Sequence, residues 1–201
     1  MADSILVKTA QISAILTAAA ASGGILSLSI FTIPAIGLKH KEPKARITTN
    51  RSAITLGAPL SHIAHQWQFT YDLGKKVFPS MAVTSSLLYS YVAYALHSDR
   101  FGRRHGGWVF YLVAAGLNVM IAPFTLLAIA PVNNAIAPYT KGEHDLPAVE
   151  AAKQGGEVKF EKAERELVGH LEKWSFLNLI RGVFPLAGAG VGAAVSFGLL
   201  S

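Results

Sequence analysis

The sequence predicts an all-α membrane protein: an integral four-helix bundle with an extra amphipathic helix in its third loop. Three observations carry this. The chain of 201 residues is 51% hydrophobic and only 15% charged, whereas soluble domains carry about 25% charged residues. Its mean hydropathy is +0.38. Four stretches each supply the roughly 20 apolar residues that a helix needs to cross about 30 Å of hydrocarbon.

The first span covers about residues 9–38. It is rich in small residues around Ala18, Ala19, Ala20, Ala21, Ser22, Gly23 and Gly24, and Pro34 should kink or end it. A single lysine, Lys8, precedes it. The run is longer than the apolar core of a typical signal peptide, so a retained span is expected. The second span covers 77–96, with Tyr89, Tyr91 and Tyr94 in its second half, where an interfacial aromatic belt would lie. The third covers 108–130 and the fourth 176–200. Gly188 and Gly192 lie one turn apart in the fourth span. Small residues let helices approach closely where lipid offers no hydrophobic drive. Packing within the bundle is the first reading of these glycines, and a homo-oligomer through them is the second. The four spans make residues 1–201 a single membrane domain.

The loops divide unequally. Loop one holds Lys39, Lys41, Lys44, Arg46, Arg51, Lys75 and Lys76; short loop two holds Arg100, Arg103 and Arg104. In loop three, 157–173 reads as an amphipathic helix carrying Val158, Glu161, Arg165, Val168 and Glu172. It could rest on the membrane surface or close over a site as a lid, hinged at Gly155 and Gly156. Loops one and three share one side of the membrane and carry thirteen Lys and Arg, against four on the other side. The positive-inside bias therefore favours a cytosolic position for loops one and three, with the endoplasmic reticulum as the expected membrane. The net charge of +6 is spread over these loops. It indicates topology and headgroup contact, not a nucleic-acid-binding surface.

The topology sends three motifs to that same side. One is His65, Gln66, Trp67, Tyr71 and Gly74. A second is Pro123, Phe124, Thr125, Pro131, Asn133 and Asn134. The third is Trp174, Asn178 and Arg181. Trp67 and Tyr71 are four apart, and Trp174, Asn178 and Arg181 are spaced by four and three, so each set lies on one helix face. Polar and aromatic side chains from distant segments thus converge, as a binding wall requires. The bland alternatives are interfacial anchoring for the aromatics and helix capping for the asparagines. Thr125 could bond back to its own helix and Arg181 could snorkel. Arg181 lies inside an apolar segment, where ionisable residues are functional by default. Asn118 sits mid-span and reads as a helix–helix hydrogen bond.

Several chemistries are absent. There are no cysteines, which removes disulfides, iron–sulfur clusters and thiolate zinc sites. None of the seven histidines falls inside a predicted span, so a haem or metal held between facing helices is not expected. No dinucleotide fingerprint, P-loop, nucleophile elbow or HExxH motif occurs.

With these residues in view, the chain resembles the anthrone oxygenase family of small four-span membrane proteins found in fungal aromatic-polyketide clusters. The resemblance covers nearly the whole chain, with 137–156 unmatched. It is carried by Ser22, Gly23 and Gly24 through Pro34; by Trp67, Tyr71, Gly74 and Pro79; by Pro123, Phe124, Thr125, Pro131, Asn133 and Asn134; and by Trp174, Asn178 and Arg181 with Pro185, Leu186, Ala187 and Gly188. It implies oxidation of an anthrone to an anthraquinone by O2, without flavin, haem or added metal, on a hydrophobic polyketide that partitions into the bilayer. Arg181, Tyr71, His65 and Asn178 would then be catalytic. Trp67, Thr125, Asn133, Asn134, Trp174 and His170 would hold the substrate. The base is left open among His65, Tyr71, His170 and a water held by the asparagine pair. Position 178 is Asn where the resemblance includes members with His, so a base at that position must come from elsewhere in this chain. The competing class is a non-enzymatic transporter or scaffold. A transporter should show inverted repeats and a polar site at the midplane, and the sequence shows neither.

Overall fold

The computed structural model describes residues 5–36, 59–98, 107–142 and 156–200, with only the backbone for 156–161. Every regular element among them is helical. α1 (Ile5–Ser27) widens into a π-helical segment at Leu28–Thr32 and closes with the short α2 (Ile33–Ile36). α3 (Leu60–Ser98) is followed by α4 (Gly107–Val119) and α5 (Ile121–Phe124). A second π-helical segment at Thr125–Ile129 leads into α6 (Ala130–Ile136) and a 3₁₀ turn at Ala137–Lys141. α7 (Gly156–Ser196) completes the bundle. The basic loop residues 39–51 and 100–104, and Gly155 of the expected hinge, lie outside the described residues.

Three helical segments are long and apolar enough to cross a bilayer: Ile5–Ile36, Gly107–Lys141 and Lys162–Ser196. α3 is longer still but is not among them, since the half that would span carries Ser80, Thr84, Ser85, Ser86 and Ser90 among its apolar residues. Two of these serines are satisfied by neighbouring helices: Ser85 donates to the Ala14 carbonyl at 3.0 Å, and Ser86 to the Ala115 carbonyl at 3.2 Å. Such hydrogen bonds let a moderately polar helix sit inside an apolar bundle.

α1 offers Ala10, Ala14, Ala18 and Ala21 as a buried stripe. With so little side chain on that face, α3 and α7 both pack against it. The small residues of α7 are matched in the same way. A Cβ on Gly192 would come within 2.6 Å of the Tyr89 ring, and one on Gly188 within 2.6 Å of the Asn118 amide. Both glycines therefore face neighbours from their own chain, the packing within the bundle that is the first reading of their spacing. Asn118 packs there while its amide bonds back to the Ala114 carbonyl of its own helix. Tyr89 is buried and stacked on Tyr111, so it cannot yield. Gly192→Ala is expected to lower the stability of the detergent-solubilised protein by about 1–3 kcal/mol through overpacking. Gly190→Ala, which meets nothing within 4 Å, should leave the thermal midpoint unchanged.

α3 and α7 have 39 and 41 residues, so each is roughly 60 Å long at 1.5 Å per residue, about twice the hydrocarbon thickness. Their first halves run side by side. Leu60, Ile63, Ala64 and Trp67 of α3 meet Ala163, Leu167, Leu171 and Trp174 of α7, with Ile129, Val132, Ile136 and Tyr139 closing the cluster. The amphipathic stretch expected in loop three does form, and it is not a separate lid. It is the first half of α7 and continues unbroken into the fourth span, since nothing between Lys173 and Phe176 interrupts helical bonding. Its exposed face carries Lys162, Arg165, Glu166, Glu172 and Lys173.

Candidate active site

The site forms where the ends of α2 and α6 meet the first halves of α3 and α7. Two prolines shape it. A proline has no N–H and its ring displaces the carbonyl four residues back. Ahead of Pro34 the chain widens, with the Ile33 amide bonding to the Leu28 carbonyl. Ahead of Pro131 it widens again, with the Ala130 amide bonding to the Thr125 carbonyl. The first widening leaves the Ser29 carbonyl without the amide it would otherwise meet, and the Ser175 hydroxyl donates to it at 3.2 Å. In return the Ser29 hydroxyl donates to the Ser175 carbonyl at 2.9 Å. Such π-helical segments recur at functional sites.

α7 aims Trp174, Asn178 and Arg181 along one face into this junction. The Asn178 amide donates to the Ile25 carbonyl at 2.8 Å and to the Ser29 hydroxyl at 3.0 Å. Its carbonyl oxygen accepts a short hydrogen bond from the Arg181 guanidinium. Arg181 also donates to the Thr125 hydroxyl at 3.4 Å, and that hydroxyl donates to the Ile121 carbonyl at 2.7 Å, the back-bond expected from sequence. One π-helical segment thus supplies an oxygen to Asn178 and the other supplies one to Arg181.

Above this layer lies an aromatic one. Trp67 and Tyr71 stack within 3° of parallel, with ring centroids 5.5 Å apart. Trp174 meets Trp67 edge-on at 6.1 Å and donates its indole N–H to the Asn133 side chain at 2.9 Å. Tyr71 is half-buried.

The electrostatic state of Arg181 is the central feature. Its residue is only 5% exposed, and the oxygens it contacts, those of Asn178 and Thr125, are neutral. No described carboxylate forms an ion pair with it. A buried cation without a counter-charge costs several kcal/mol, and the cost falls when an anion arrives. Three buried N–H groups at this end also lack partners: Arg181 Nε, the Asn133 amide and the Trp67 indole. Unpartnered donors together with a buried cation suit an electron-rich oxygen or a delocalised anion.

Of the residues expected from sequence, the structure brings together Trp67, Tyr71, Thr125, Asn133, Trp174, Asn178 and Arg181. It separates three others. His65 is exposed on the opposite face of α3. Asn134 is exposed, because one residue further along a helix turns the side chain by about 100° away from Asn133. His170 is half-buried one turn ahead of Trp174 and takes no part in the hydrogen-bonded chain. Trp67 and Trp174 are walls, not open stacking surfaces, since both rings are enclosed by each other and the core. Ser29 and Ser175 were missed. The signal was Pro34, five residues after Ser29, which marks the freed carbonyl. No group of three or more metal-ligating side chains occurs among the described residues.

An all-helical bundle with bilayer-length apolar helices, carrying a buried cation and unpartnered N–H donors at one end, defines a membrane-embedded helical protein. The family model described as anthrone oxygenase matches residues 67–191. The chain is 31% identical over 188 residues to the anthrone oxygenase AgnL2 of Paecilomyces divaricatus, covering 92% of this chain and 93% of that one. It is 29% identical to the anthrone oxygenase tpcL of Aspergillus fumigatus, over 90% of this chain and 89% of that one. It is 28% identical to the noranthrone monooxygenase of Aspergillus flavus, over 89% of this chain and 69% of that one. No solved structure matches. The chain belongs to the anthrone oxygenase family, and with it to the monooxygenases among the oxidoreductases.

Proposed function

We propose that the protein oxidises an anthrone of the emodin-anthrone type to its anthraquinone with O2, in aromatic polyketide biosynthesis and without a bound cofactor. The observation that carries this reading is the buried Arg181 cation, held only by neutral oxygens and flanked by unpartnered donors. The names of the relatives support the substrate class.

The chemistry follows from the substrate. The C10 methylene of an anthrone is acidic, because losing a proton gives an aromatic anthrolate. That anion passes one electron to O2, and the resulting radical pair combines to form a C10–O bond. Protonation gives a hydroperoxide, and loss of its terminal hydroxyl as water, with the remaining C10 hydrogen, leaves a carbonyl. One anthrone and one O2 give one anthraquinone and one water. Arg181 stabilises the anthrolate in a low-dielectric setting, where such a contact is worth most. The unpartnered Asn133 amide supports this reading as a donor to a carbonyl or hydroxyl edge of the substrate. Of the candidate bases, Tyr71 is the one that joins the assembled residues, through its stack on Trp67, and we assign it the proton transfer. A general base or acid contributes about 10²–10⁴-fold.

α3 is taken as the fourth spanning helix, which puts the site at the end shared by loops one and three. The charge bias makes that end cytosolic, on the endoplasmic reticulum in this reading. A lipophilic anthrone would meet the site there from the bilayer.

The test is oxygen uptake and quinone absorbance in membranes carrying the protein, made in a host without polyketide pathways and given emodin anthrone with and without a chelator. Quinone formation well above the spontaneous rate and indifferent to chelator is expected. Chelator sensitivity would overturn the cofactor-free mechanism. No acceleration across several anthrones would favour a transporter or scaffold.

A further inference from the structure

The first half of α3 has two faces. Leu60, Ile63, Ala64 and Trp67 enter the core. His62, His65, Gln66 and Phe69 lie on the other side at helical spacing, opposite Phe31 and Thr32. Together they border a groove of about 710 Å³. That volume falls within the roughly 300–1,000 Å³ of small-molecule sites.

The groove is graded. Phe31 and Phe69 are 70% and 74% exposed. Below Phe69 the same side of α3 carries Leu73, Val77, Val83 and Leu87, all exposed, as the lipid-facing stripe of a spanning helix would be. In the other direction the groove turns polar, with Gln66 and the His62 imidazole hydrogen-bonded at 2.9 Å. Its apolar end is therefore continuous with lipid and its far end offers imidazole and amide groups. The wall between groove and active site includes the first π-helical segment. Ser29 of that segment bonds Asn178 on the inner side, while Phe31 and Thr32 border the groove.

We propose that this groove receives the flat, hydroxylated aromatic substrate from the bilayer, its rings against Phe31 and Phe69 and its polar edges toward His62, His65 and Gln66. The proposal rests on the function proposed above. A lipid acyl chain would match the phenyl end and make no use of the imidazole and amide groups at the other, whereas a phenolic polycycle matches both.

The kinetic test uses the Phe31→Ala/Phe69→Ala double variant in membranes. Both side chains are exposed, so an unchanged thermal midpoint is expected. KM for the anthrone should rise about tenfold, the size expected for two lost aromatic contacts, with the loss in kcat/KM carried by KM. Active wild-type protein with an unchanged KM in the double variant would overturn the groove and leave the oxygenase reading intact. A binding test is independent of turnover. Phe69→Trp in vesicles should show saturable quenching of its added fluorescence by an anthraquinone. Tyr94→Trp, at a position 72% exposed on the same helix, should show only the linear quenching of membrane-dissolved quinone. Equal, non-saturable quenching at both positions would overturn the groove even if no anthrone were turned over.

Discussion

Arg181→Gln is expected to lower turnover of the anthrone by about 10²–10³-fold, the usual cost of removing a preorganised group that stabilises a developing anion. Glutamine can still bond the Asn178 carbonyl oxygen and the Thr125 hydroxyl, the two partners Arg181 has in the structure. The neutral amide also avoids the cost of burying a cation with no described counter-charge. The variant should therefore match or exceed wild type in a detergent melting experiment while losing activity. Arg181→Lys should recover part of the rate, since it restores charge without the planar fork. Full activity in Arg181→Gln would remove the arginine from the mechanism and, with it, the main structural support for an anion intermediate.

Trp174→Ala should have the largest effect on stability, about 3–5 kcal/mol, typical of deleting a fully buried large aromatic. The indole is 0% exposed. Its loss uncovers the edge contact with Trp67 and strips the Asn133 carbonyl oxygen of its donor. Trp174→Phe keeps most of the volume and should cost only about 1–3 kcal/mol, the penalty for an unsatisfied buried acceptor. Phe176→Ala, at a side chain 63% exposed, is the control and should leave the melting midpoint near wild type. A Trp174→Ala protein that melts like wild type would mean that the aromatic layer does not hold α3, α6 and α7 together.

Much of this was legible in the chain because helical periodicity is a local signal. The spacing of Trp174, Asn178 and Arg181 put them on one face, and the structure keeps them there. The spacing of Trp67 and Tyr71 produced the stacked pair. The same signal failed where neighbouring residues diverge. Adjacency suggested that Asn133 and Asn134 act as a pair, and helix rotation sends one inward and the other out. His65 shares a motif with Trp67 and faces away from it for the same reason. The Gly188 and Gly192 spacing announced a close contact without saying with what, and the answer is Asn118 and Tyr89 of the same chain.

By itself the sequence determined that the protein is a membrane-embedded helical bundle, three of the segments apolar enough to span, and most of the polar and aromatic groups that gather at one end. Those properties follow from composition, length and a repeat of 3.6 residues, all readable along one dimension. Only the tertiary structure decided that α7 runs unbroken from its amphipathic start through the membrane, and that Trp67 and Trp174 wall the site instead of lining it. It also decided that two proline-induced π-helical segments supply the oxygens holding Asn178 and Arg181. A helix face specifies a direction, and what it meets there depends on the backbones of other segments. Burial, an uncompensated charge and a freed carbonyl exist only once those backbones are in place.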